Sequence, residues 1–272
     1  MPKIQASKIT MNYEQQGAGE PLVLIPFLTA DNACYAFQVA EYAKHFTCFS
    51  LDLRGTGESD KPEGVYTTEL FADDVAAFMQ ALGITSAHVS GLSLGAATGL
   101  WLAAKYPGKV KSLSLHSCWT KTDPFLQAVL ASWQAAAKAM GSVPEMLIAC
   151  MFPWCFTPEL YAARPDYIDS LAQFVRSRPA QPVSSFLQHS NAVIAHDATA
   201  QLSRIKAPTQ ITVGRHDLLT FRFAQPISSA IPESELVIFE ECSHAPIYER
   251  VDEFNQKTLG FLQRHSGIAA SA

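Results

Sequence analysis

Short apolar runs and longer stretches of helical period take turns along most of this chain. The runs at residues 22–25, 47–51, 87–90, 110–116, 209–213 and 235–239 have the length and near-continuous apolarity of strands covered on both faces. Leu22-Val23-Leu24-Ile25 is apolar throughout and is closed by Pro26, which cannot donate to a sheet ladder. Between the runs, residues 33–43, 67–82, 93–106, 221–230 and 253–265 read as helices. Residues 67–82 place Phe71, Val75, Phe78, Met79 and Leu82 on one face, and Gly83 stands where that helix must stop. The last helix turns Phe254, Phe261 and Leu262 inward. Residues 3–5 and 9–15 read as a short antiparallel opening, and Gly17-Ala18-Gly19 as a turn. Strands and helices alternating in this way predict an α/β fold, a mostly parallel central sheet with helices on both faces.

The rhythm breaks once. From residue 117 to 206 no strand pattern occurs. That segment holds an alanine-rich helical stretch at 125–140 and is punctuated by prolines at 144, 153, 158, 165, 179 and 182. It reads as a helical cap inserted into a core made of residues 1–116 and 207–272. No internal repeat or low-complexity run is present, and residues 266–272 read as a frayed tail.

Composition narrows the function classes. A chain of 272 residues with 48% hydrophobic positions can bury a large core. The net charge of −5 comes with no basic stripe for phosphates and no polybasic membrane anchor, so neither nucleic acid nor a membrane is expected as a partner. Residues 84–104 carry no formal charge, yet their glycines, serines and His88 fit a buried strand, turn and helix better than a membrane span. Met1-Pro2-Lys3-Ile4-Gln5 lacks the apolar core of a signal peptide, which sets the expectation of a cytoplasmic protein. Six cysteines without a C-x-x-C pair, and no Cys/His cluster at zinc spacing, read as reduced thiols with no metal site. No cofactor is expected.

The densest chemical signal is Gly91-Leu92-Ser93-Leu94-Gly95, placed between a strand and a helix. A serine on such a sharp turn exposes its hydroxyl, and a side chain at either flanking glycine would collide with the neighbouring strand or helix. The turn also aims the Leu94 N–H and the positive end of the helix at the same spot. A serine nucleophile needs a base and the base an orienting carboxylate. His244 follows the last strand and Asp217 the one before it, both in loops at the strand ends where open α/β sheets bind ligands. Asp123 is the alternative acid, and His216 reads as a neighbour of Asp217 with no part in the chemistry. The second oxyanion donor is sought in the loop after residue 25, with Leu28 N–H the first choice and Phe27 N–H the second. Asp52 and Arg54, in Asp52-Leu53-Arg54-Gly55-Thr56-Gly57-Glu58-Ser59, read as a structural polar lock; no helix opens after the glycines, so a nucleotide loop is rejected.

Together these motifs, in the order Ser…Asp…His, resemble the α/β-hydrolase superfamily. Leu28-Thr29-Ala30-Asp31 and residues 98–104 look like its 3-oxoadipate enol-lactonase and carboxylesterase branch. Two positions depart from that pattern: Pro26-Phe27 stands where family members usually carry His-Gly, and Ala96 where the branch often has glycine. The resemblance implies a cofactor-free hydrolase of esters or lactones with a helical cap over Ser93, Asp217 and His244. Residues 146–158 are uncharged and aromatic, which marks Trp119, Met151 and Trp154 as candidate pocket residues for a fairly apolar small molecule. Lys121, Lys138 and Arg164 are the obvious cations had the substrate been dianionic. A C–C bond hydrolase or a perhydrolase would use the same three residues. A slow-turnover ligand receptor is the alternative from outside enzymology.

Overall fold

The computed structural model describes residues 2–267, so residues 268–272 of the expected tail lie outside the described residues. Eight strands form one sheet: β1 (Lys3–Ala6), β2 (Ile9–Gln16), β3 (Glu20–Ile25), β4 (Phe46–Leu51), β5 (Ala87–Leu92), β6 (Val110–His116), β7 (Thr209–Gly214) and β8 (Ser234–Phe239). Their order across the sheet is β1-β2-β4-β3-β5-β6-β7-β8. The β1–β2 and β2–β4 pairings are antiparallel and all others are parallel.

The helices between strands are α1 (Ala36–Tyr42), α2 (Thr68–Ala81) and α3 (Leu94–Lys105). Between β6 and β7 come α4 (Pro124–Met140), α5 (Val143–Met146), a π-helical turn (Leu147–Met151), α6 (Phe152–Cys155), α7 (Pro158–Ala163), α8 (Pro165–Ser177) and α9 (Val183–Ile194). The chain then adds α10 (Phe221–Ala230), α11 (Pro246–Glu249) and α12 (Val251–Arg264). The interval read as strand-free indeed contains no named strand, only a single bridge between Lys121 and Asp197.

Side-chain alternation along β3 explains how one sheet serves two cores. Val23 and Ile25 join the apolar cluster that contains Phe71, Val75, Phe78 and Leu100, from α2 and α3. Leu22 and Leu24 point the other way and join Tyr35, Val39, Phe254 and Phe261, on the side of α1 and α12. Both layers bury their apolar faces fully, at roughly 1.5–3 kcal/mol per large side chain. The second face of the central strands is partly polar. There His116 bridges the Ser90 and Thr212 hydroxyls at 2.9 and 2.8 Å, and His88 meets Ser112 at 2.7 Å.

The expected helix at 33–43 is split. Asp31 accepts a hydrogen bond from Ala33 N–H and starts a 3₁₀ turn over Asn32–Tyr35, and only then does α1 begin. Of direct consequence for the site is the reversal of strand order around β3. The chain passes from β3 to β4 on one side and returns to β5 on the other. The loops leaving β3 and β5 therefore diverge and open a crevice at their carboxyl ends, where open α/β sheets hold ligands.

Candidate active site

Ser93 leaves β5 at this crevice with φ 53° and ψ −114°, a left-handed backbone that a serine adopts only under strain. The tight turn demands its glycines. A Cβ on Gly91 would stand 2.3 Å from the Gly95 backbone, and one on Gly95 would stand 2.1 Å from the Ile25 carbonyl oxygen of β3. Both clashes are with main chain, so no side-chain movement relieves them. Ser93 N–H is tied to the His116 carbonyl at 2.9 Å, which fixes the turn to β6.

The loops after β7 and β8 meet through another close approach. A Cβ at Gly214 would lie 2.0 Å from the Ser243 carbonyl oxygen. His216 N–H donates to the Cys242 carbonyl at 2.9 Å. This contact brings Asp217 to His244, whose Nδ1 lies 2.9 Å from Asp217 Oδ2. Asp217 is 2% exposed, and its other acceptor positions are filled: Oδ1 receives the N–H groups of Leu219 and Thr220, and Oδ2 receives the Thr220 hydroxyl. Burial alone would raise its pKa; the His244 ring and the Thr220 hydrogen bonds outweigh burial and hold the carboxyl below its ordinary value. Asp217 thus stays an anion although it is buried. Asp123, the other acid considered, caps the N-terminus of α4 through Leu126 N–H and pairs with Arg222.

Ser93 and His244 line one cavity of about 130 Å³, together with Phe27, Leu28, Leu130, Met151 and Trp133. Among the described residues no hydrogen bond joins the Ser93 hydroxyl to the imidazole, a spacing common in unliganded sites. The Leu28 and Leu94 N–H groups donate to no protein atom among the described residues. Phe27, the second choice, lines the same cavity. Asp52 is buried and receives Asn32 N–H at 2.7 Å and Asn12 Nδ2 at 2.8 Å, and so pins the chain just beyond Leu28. Arg54 does not join Asp52: it pairs through two nitrogens with Asp74, so the expected lock is two separate devices.

The wall facing Ser93 comes from the segment between β6 and β7. Trp119 and Met151 lie in it; Trp154 does not. Phe152 and Cys155 of α6 and Phe156 just after it line the cavity, and helical geometry turns Trp154 away, edge-on to Phe125. Lys121 and Arg164 are engaged with Asp197 and Asp166 and, like Lys138, are absent from the wall. The cation that does line it is Arg178. Cys155 is also there, but burial pushes its thiol up to about 12, which disqualifies it as a nucleophile. All six cysteines are free. Among the described residues no group of three or more His, Cys, Asp or Glu side chains is placed to hold a metal ion.

Four supporting residues escaped the sequence reading. Thr220 could have been found, three residues after Asp217 in a cap-like spacing. Ser117 and Arg178 could not, because each acts on a residue far away in sequence, and Glu249 could not because its role depends on joining nearby Ser243 to distant Thr157. The Glu249 carboxylate receives Ser243 N–H at 2.7 Å and both the N–H and the hydroxyl of Thr157. Ser117 donates to the His244 carbonyl at 2.8 Å.

Comparison with known proteins identifies the family of the fold. Residues 21–251 match the model of the α/β hydrolase fold family. The 3-oxoadipate enol-lactonase 2 of Acinetobacter baylyi is 26% identical over 267 residues, 96% of each chain. RutD of Azorhizobium caulinodans, assigned as a carbamate hydrolase, is 26% identical over 96% of this chain and 98% of its own. Among solved structures, the enol-lactonase from Burkholderia xenovorans LB400 superposes with a TM-score of 0.86 at 26% identity, covering 96% of this chain and all of that one.

Proposed function

Starting from the α/β-hydrolase fold family, to which this chain belongs, we propose that the protein is a serine hydrolase acting on a carboxylic ester or lactone of a small, fairly apolar molecule. The observation that carries the reading is the strained Ser93 turn opening into the same cavity as His244, whose far nitrogen is held by an anionic Asp217. In this reading the His244 ring takes the Ser93 proton as Oγ attacks the substrate carbonyl. Asp217 keeps the proton on Nδ1 of the neutral ring, so that Nε2 is free to act as base, and then stabilises the imidazolium. The developing oxyanion is met by the N–H groups of Leu94 and Leu28, each worth about 10²–10³ in rate in comparable sites. Return of the proton expels the alcohol and leaves an acyl group on Ser93. Water, deprotonated by His244, releases the acid.

Residues 117–206 act in this reading as a cap that shields the acyl-enzyme and shapes the pocket. The choice of ester or lactone is supported by the enol-lactonase relatives and by the preponderance of apolar side chains in the wall. A panel of p-nitrophenyl esters and γ- and δ-lactones, run on the wild-type chain and on Ser93→Ala, tests it. Multiple turnovers by wild type and a loss on the order of 10⁴–10⁶ in the variant are expected. Equal rates in the two proteins would remove Ser93 from the mechanism, and a single acylation without turnover would mark a receptor.

A further inference from the structure

Arg178 follows α8 and is a cation in the wall of the Ser93 cavity, with a side chain 27% exposed. It spends one nitrogen: Nε donates to Asp31 Oδ2 at 2.8 Å. Its two terminal nitrogens donate to no protein atom among the described residues, in contrast to Arg54, which uses two nitrogens on Asp74. Asp31 is 7% exposed and also lines the cavity. A second buried carboxylate, Asp52, accepts the N–H of Asn32, the residue after Asp31, at 2.7 Å. Arg178 therefore offers hydrogen-bond donors at a place where its charge is already cancelled by Asp31. A substrate carboxylate there would have to share one guanidinium with Asp31.

Resting on the proposed hydrolase reading, we infer that the Arg178–Asp31 pair selects substrates carrying a neutral oxygen acceptor, such as an amide, keto or lactone carbonyl, away from the scissile bond, and rejects those carrying a carboxylate there. The apolar wall sets the size of the chain, the terminal nitrogens of Arg178 read the acceptor, and Asp31 sets the charge rule. Replacing Asp31 by asparagine keeps a side chain able to cap Ala33 N–H, so the loop is retained while the rule is inverted.

The test uses three p-nitrophenyl esters of matched six-carbon acyl length ending in carboxamide, carboxylate or isopropyl. With wild type, kcat/KM for the carboxamide is expected to be the highest and at least tenfold above the carboxylate. In Asp31→Asn the carboxylate-to-carboxamide ratio should rise at least tenfold. In Arg178→Gln the advantage of the carboxamide over the isopropyl ester should vanish. Ratios taken within one variant cancel any general loss of activity. A wild type that prefers the carboxylate, or an Asp31→Asn ratio that does not move, overturns the inference. If no ester is turned over, the hydrolase reading fails separately. The charge rule is then still read by calorimetry of hexanamide and hexanoate on Ser93→Ala with and without Asp31→Asn, where a gain in hexanoate affinity of less than threefold sinks it.

Discussion

Ser93 shows what one residue costs the fold and what it supplies to the site. Its left-handed backbone is held because Gly91 and Gly95 let β5, α3 and the end of β3 approach closer than any side chain would allow. Gly95→Ala is therefore expected to do more than fill space. The new methyl would sit 2.1 Å from the Ile25 carbonyl, and β3 must shift to admit it. The loss of stability should be about 1–3 kcal/mol or more, read as a lower urea midpoint, and kcat should fall further because Ile25 leads directly into Leu28. Asp217→Asn belongs to the same scale. The amide cannot hold the proton on Nδ1 of the ring, so kcat should fall by about 10⁴ with little change in unfolding midpoint. An Asp217→Asn protein of full activity beside an inactive Asp123→Asn would reassign the acid. The convergence of Ser93, Asp217 and His244 on one end of the sheet was legible because each sits at the end of a strand whose apolar run is obvious, and the glycines mark the Ser93 turn. Arg178 was not: its partner Asp31 is 147 residues away, and no local pattern distinguishes it from Arg164 or Arg176.

The elements were legible to the extent that hydrophobic period decides them. The strands fall within one or two residues of the apolar runs, because near-continuous apolarity suits strands covered on both faces, although β8 at the sheet edge is only half-buried along most of its length. The segment between β6 and β7 was readable as helical but not as an arrangement. Prolines stand at the starts of α4, α7 and α8, yet the π-helical turn at Leu147–Met151 and the facing of α6 depend on packing against the core. That packing explains how the segment is held on the His244 side. Ala245 N–H donates to the Cys155 carbonyl at 3.1 Å, the Ser243 hydroxyl to the Trp154 carbonyl at 3.1 Å, and Glu249 clasps Thr157 and Ser243 together. Glu249→Ala would leave the buried N–H groups of Thr157 and Ser243 without a partner, at about 2–5 kcal/mol for the two. It should also loosen the loop carrying His244, so kcat is expected to drop at least tenfold while KM moves less. Glu249→Gln retains one acceptor oxygen and should recover part of both. A Glu249→Ala protein with normal kcat would show that the loop does not need the clasp.

At the scale of the molecule, the fold carries a set of histidines that folding keeps neutral. His116 in β6 is held down to about 3, and His189 and His196, at and just beyond α9, to about 4, in each case because burial disfavours the imidazolium. Two of them join the helical segment to the core: His189 Nε2 donates to the Arg54 carbonyl at 2.6 Å, and His196 Nδ1 lies 2.8 Å from the Thr68 hydroxyl. Their folded-state values lie below the roughly 6.5 of an unfolded histidine, so the unfolded chain binds more protons and stability falls as the pH falls. The loss begins as the pH drops through the unfolded value and continues until the folded values are reached. Near pH 5 these three groups would each contribute almost one proton, a slope of ~4 kcal/mol per pH unit. Asp52 and Asp74 work against it, since burial pushes both carboxyls up and makes the folded state the better proton binder as they titrate. A net loss of about 2–4 kcal/mol between pH 6 and pH 5 is therefore expected from urea titrations at the two pH values. His189→Gln keeps a donor for the Arg54 carbonyl and cannot take up a proton. It should lower the slope by about one proton, ~1.4 kcal/mol per pH unit. If the slope is unchanged, His189 is not neutral in the folded state, and the segment over the Ser93 cavity is held to the core by something other than an uncharged imidazole.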